Sequence, residues 1–113
     1  MIALTLAAAL AAAVPADEPP PPPELTTAAA AWQSCIQDRV DESSAGENPR
    51  AVARAIAIAC EASAQALLAA HRQWVEGSAL TEREKRSSIR AAERNVAGMP
   101  RMIEMMLRAS RDD

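Results

Sequence analysis

The chain has 113 residues, half of them hydrophobic, but Phe and Tyr are absent, Trp occurs twice and much of the apolar content is Ala. Length and composition therefore admit one domain with a modest core. A net charge of −3, with no aromatics interleaved among the basic residues, speaks against a nucleic-acid partner. Three glycines leave few strained turns, and no phosphate loop, serine-nucleophile motif or paired-acid cleft appears, so neither an enzyme nor a cofactor is expected.

In chain order, Met1–Ala16 carries no charged side chain, and Ile2–Val14 is an unbroken run of Ile, Ala, Leu, Thr and Val. As a helix that run is about 20 Å long, short of the roughly 30 Å hydrocarbon core of a bilayer. No stable membrane span is expected in the mature chain. Val14-Pro15-Ala16 sets small residues where a signal peptidase inspects them, so residues 1–16 read as a signal peptide, although no Lys or Arg precedes the apolar run. A cut after Ala13 is the second option. The product is expected in the periplasm or the medium, and Cys35 lies too far from the cleavage point to carry a lipid. Residues 17–24, an acidic pair followed by five prolines and Glu24, read as an extended polyproline spacer.

The helical domain is expected over 25–113. Its first helix is predicted from Thr26 or Thr27 to about Ser44, with Leu25 packing back on it and Ala28, Trp32, Cys35, Ile36 and Val40 on one face. The second is predicted to open at Asn48, the cap, with Pro49 at the first helical position, and to run to Glu76, where Gly77 stops it. Its polar residues form one narrow stripe, from Arg50 and Arg54 to Arg72 and Glu76, which places this helix in the middle of the fold. The third begins with a capping box, Thr81 and Glu84, stapled by Leu80, and continues to about Ser110. Ile89, Ala92, Val96, Met99, Ile103 and Met106 form its packing seam, and Gly98 with Pro100 should kink it or divide it in two. The expected fold is all-α, a three-helix up-down-up bundle.

Two cysteines in an exported chain imply one disulfide. If the first two helices form an antiparallel hairpin turning near Glu47, Cys35 meets Cys60, while Ile36 faces Ala59 and Val40 lies near Ile56. The bridge closes a loop worth roughly 3 kcal/mol by the chain-entropy account.

Three groups could carry chemistry. His71, the only histidine, lies on the face of Cys60 but about 16 Å along the axis, with Trp74 a turn away. It reads as an amphipathic residue at the bundle's end, since a partner from the opposite hairpin arm would have to come from the proline segment. Met99, Met102, Met105 and Met106 have the spacing of a thioether cluster for cuprous ion or of a flexible apolar surface for a partner, although Met99 and Met106 also lie on the packing seam. Arg83, Arg86, Arg90 and Arg94 line one face of the third helix. Residues 83–111 hold eight bases and three acids, against seven acids and one base in 17–47. This is read as a solvated face attracting the acidic first helix, with an envelope protein or an anionic envelope component as the alternative partner.

The signal, the proline spacer, the Trp-x-x-Cys helix and the Ala-Cys helix, with eleven Arg to one Lys, resemble small Ala-rich two-cysteine exported helical proteins of Gram-negative bacteria. That resemblance spans the chain and implies compartment and build, not an activity. Leu80-Thr81-Glu82-Arg83-Glu84 is similar to the Leu-Thr-x-x-Gln signature of Spy-type periplasmic chaperones, occurring once and with Glu84 in place of the glutamine. The expected function is a non-enzymatic exported protein that binds another macromolecule or gives structural support. The alternative is metal handling, or a stress-response role, through the methionine-rich C-terminal helix.

Overall fold

Alanine has the highest helix propensity of any residue, and the described residues from Pro23 to Arg111 are helical almost throughout. The computed structural model describes residues 20–43 and 46–111, so the signal segment and the start of the proline spacer lie outside the described residues. Among these residues there are five helices and no strand: α1 (Pro23–Glu42), α2 (Pro49–Ala59), α3 (Glu61–Glu76), α4 (Glu82–Ala97) and α5 (Met99–Arg111). The expected count of three is therefore corrected to five. The second and third predicted helices are each divided.

Local chemistry explains where the helices begin. Asn48 Oδ1 accepts from the N–H groups of Arg50 (3.0 Å) and Ala51 (3.4 Å), with Pro49 behind it. At α4, Thr81 Oγ1 accepts from the Glu84 N–H at 3.2 Å, while Glu84 Oε1 accepts from the Thr81 N–H at 3.3 Å. The first helix departs from expectation by starting at Pro23, inside the predicted spacer. Pro22 holds an extended φ of −65° and ψ of 155°, and its carbonyl accepts from Leu25 and Thr26. A proline at the first helical position has the right φ and needs no donor. The same rule that opens α2 at Pro49 opens α1 at Pro23.

The first division, at Cys60, was not foreseen by the periodicity. Cys60 has φ −100° and ψ 12°, and α2 and α3 meet there at 57°. Backbone bonding continues through the bend, from Cys60 N–H to Ile56 O at 3.0 Å and from Ala64 N–H to Cys60 O at 3.1 Å. No proline or glycine lies at this point, so tertiary packing holds the angle: α2 packs along α5, and α3 along both α1 and α4. The second division falls at Gly98, within the stretch where the kink was expected. Pro100 has no N–H to offer the Val96 carbonyl, and the ladder is interrupted there.

The two divisions share a level. The α3–α4 turn centres on Ala79, and both Cys60 and Gly98 lie nineteen residues from it. Cross-links between the arms agree with that register: Lys85 reaches the Glu76 carbonyl, and Ser88 meets His71. The two interruptions thus fall opposite each other in the hairpin. The described residues form a rod of 49 × 24 × 21 Å.

Cys35 and Cys60 stand at disulfide distance, Sγ–Sγ 2.08 Å and Cα–Cα 5.9 Å, at the bend. Around them the core gathers Trp32, Ile36, Ala53, Ile56, Ala64, Ile103 and Leu107, with Val40, Val96 and Met99 against its edge. Leu25 and Val75 are buried outside that cluster. The second predicted helix is less enclosed than its composition implied. Ala51, Ala55, Ala62 and Ala66 are exposed, and Ile58 is 72% exposed.

Candidate functional site

The capping box fixes the start of α4, and its register decides which residues face out. Lys85, Ser88, Ile89, Ala92 and Val96 are half-buried, whereas Arg83, Arg86, Arg90 and Arg94 are exposed. Steps of three, four and four keep the four arginines in one line. Together with Ser87 they border an open depression of about 390 Å³.

The acids of α4 are engaged elsewhere. Glu82 pairs with Lys85 at 3.4 Å, Glu93 with Arg72 of α3 at 3.5 Å, and Glu84 completes the cap. Among the described residues, none of the four arginines has a carboxylate partner within 4.0 Å, and no ion pair joins α1 to α4. The first helix does not neutralise this face. The ridge is a row of cations on a helix whose own acids are spent.

His71 does find a partner, from an element the sequence reading overlooked. Its Nε2 lies 3.5 Å from Ser88 Oγ across the α3–α4 interface, and its ring meets Trp74 edge-on at 6.2 Å. Burial lowers its pKa below the usual histidine value, because the charged imidazolium loses hydration there. His71 does not border the arginine depression. Lys85 is a second residue that sequence alone did not single out. Its Nζ donates to the Glu76 carbonyl at 3.1 Å, placing a cation on the C-terminal end of α3. The only sequence signal was a lone lysine shortly after the α3 stop.

The four methionines of α5 divide into two pairs. Met102 and Met105 are 51% and 59% exposed, while Met99 and Met106 are half-buried, with Met99 packed against the core. The four side chains are therefore unequally accessible to solvent. Among the described residues no three His, Cys, Asp or Glu side chains converge as a metal site.

The cysteines at disulfide distance suit an oxidising, non-cytoplasmic environment. No single described helix is long and apolar enough to cross a membrane; α2 and α3 reach that length and hydropathy only as a bent pair. Set against known protein families, curated proteins and solved structures, the chain matches none of them.

Proposed function

We propose that the chain is an exported, non-enzymatic helical protein of the periplasm or medium that binds an anionic envelope component through α4. The observation that carries this reading is the arginine ridge, which has no acid partner among the described residues. Four guanidinium groups held in line on an ordered helix raise the local concentration of anions and orient them, and salt screens the effect. The bridge at Cys35 and Cys60 supports the exported half of the reading, since such bonds persist outside the reducing cytoplasm.

The test is retention of the bridged protein on an immobilised polyanion and on anionic vesicles at low and high salt. A variant carrying Gln at positions 83, 86, 90 and 94 is run beside it. Low-salt retention that the variant loses is the expected result. Equal retention of both proteins would remove the ridge from the function.

A second reading rests on Met102 and Met105, two exposed thioethers three residues apart on α5, which offer a soft surface to cuprous ion. Anaerobic titration with cuprous ion should then show binding that Met102→Leu and Met105→Leu abolish. Absence of binding removes this reading.

A further inference from the structure

We infer that the ridge on α4 takes a linear chain of phosphate groups, a polyphosphate or a phosphodiester polymer without bases; this rests on the anion-binding reading above. The first argument is shape. Arg83 to Arg94 spans eleven residues, about 16 Å of helix at about 1.5 Å per residue, and all four arginines lie along one line of the surface. A line of cations matches a line of anions. A flat anionic bilayer would be met better by cations spread over neighbouring helices.

The second argument is what flanks the ridge. Helices that lie on membranes carry an apolar face to insert beside their cations. In α4 the large apolar residues Ile89 and Val96 are turned toward the protein, leaving nothing comparable beside the arginines. A lipid surface would gain charge contacts alone.

The third argument excludes bases. Proteins that track single-stranded nucleic acid stack bases on exposed aromatic rings. Trp32 is buried in the core, and Trp74 is half-buried on α3 against His71. No aromatic residue lies on α4. Arginine itself selects oxyanions that accept two parallel N–H donors, and phosphate presents them in every unit of such a chain. The depression between the four side chains leaves room for those groups.

Calorimetric titration of the bridged protein tests this with inorganic phosphate, polyphosphates of graded length, phosphatidylglycerol vesicles and single-stranded DNA matched in charge. Affinity should rise with polyphosphate length until the chain spans the ridge, and log K should fall with log salt at a slope of about −3 for four contacts. R83Q/R86Q/R90Q/R94Q should weaken polyphosphate binding about a hundredfold, and R86Q/R90Q should give an intermediate loss. Both variants are checked by thermal melting, and the double variant carries the test if the quadruple one melts early. Vesicle binding tighter than polyphosphate overturns the linear-chain inference while leaving anion binding intact. DNA binding tighter than polyphosphate of equal charge overturns the base-free inference. Inorganic phosphate binding as tightly as the longest chain overturns the linear-chain inference, and no binding to any anion overturns both this inference and the function on which it rests.

Discussion

Cys60, the residue at which α2 and α3 meet at 57°, is bonded to Cys35 of α1 with the Cα atoms 5.9 Å apart. The bridge thus fastens α1 to the α2–α3 arm at the level of the bend. Twenty-five residues separate the two cysteines, for which the chain-entropy account gives roughly 3 kcal/mol. Reduction, or the pair Cys35→Ala and Cys60→Ala, should lower stability by about that amount in a urea titration. A loss under about 1 kcal/mol would mean that packing of Trp32, Ile36 and Ile103 alone holds the bend.

The half-buried His71 should make stability depend on pH in a defined direction. Its folded pKa lies below the unfolded value near 6.5 because burial disfavours the charged ring. The unfolded chain therefore binds the proton first as pH falls. The contribution is complete above about 6.5, diminishes as pH falls through that value, and levels off below the folded pKa. Thermal melts across this range should show the loss in the wild type and a flatter profile in His71→Gln. Identical profiles for the two proteins would dismiss the residue as a titrating element.

Where sequence sufficed, the cause was local. Asn48 with Pro49 and Thr81 with Glu84 announce their helices because a cap is chemistry among neighbours. The pairing of Cys35 with Cys60 was legible because a tight antiparallel hairpin turns position into register. The bend at Cys60 was not, because no proline or glycine marks it and the angle is set by packing on α1, α4 and α5, elements remote in the chain. The partners of His71 and Lys85 required the register of a second hairpin. At the ridge, spacing showed that four arginines align, but only the structure showed that Glu82, Glu84 and Glu93 are engaged elsewhere.

The methionines should oxidise in an order that exposure sets. Met102 and Met105 are more than half exposed, so limited peroxide should convert them first, with little change in melting temperature. Met99 and Met106 are half-buried, and placing a polar sulfoxide there disturbs packing. Peptide mass spectrometry along a peroxide time course should find them modified later, together with loss of the folded state. Simultaneous oxidation of all four would contradict the orientation of α5.

Lys85 should contribute more than an exposed lysine does. Its side chain is only 16% exposed, and its ammonium holds both the Glu76 carbonyl and Glu82. Lys85→Met keeps the length of the side chain and removes three donors, leaving the last carbonyl of α3 without this cation. The expected cost is about 1 kcal/mol by chemical denaturation.

Gly98 offers the opposite outcome. It lies between α4 and α5 with φ −82° and ψ −6°, a conformation open to any residue. A Cβ there would meet the Arg94 carbonyl oxygen at 3.4 Å and the Asn95 carbonyl oxygen at 3.8 Å, ordinary contacts. The interruption then belongs to Pro100, which gives the Val96 carbonyl no donor. Gly98→Ala should restrict the unfolded chain without straining the folded one and stabilise the protein by about 0.4–1 kcal/mol. Destabilisation of more than about 1 kcal/mol in the melt would show that the division between α4 and α5 depends on the missing side chain after all.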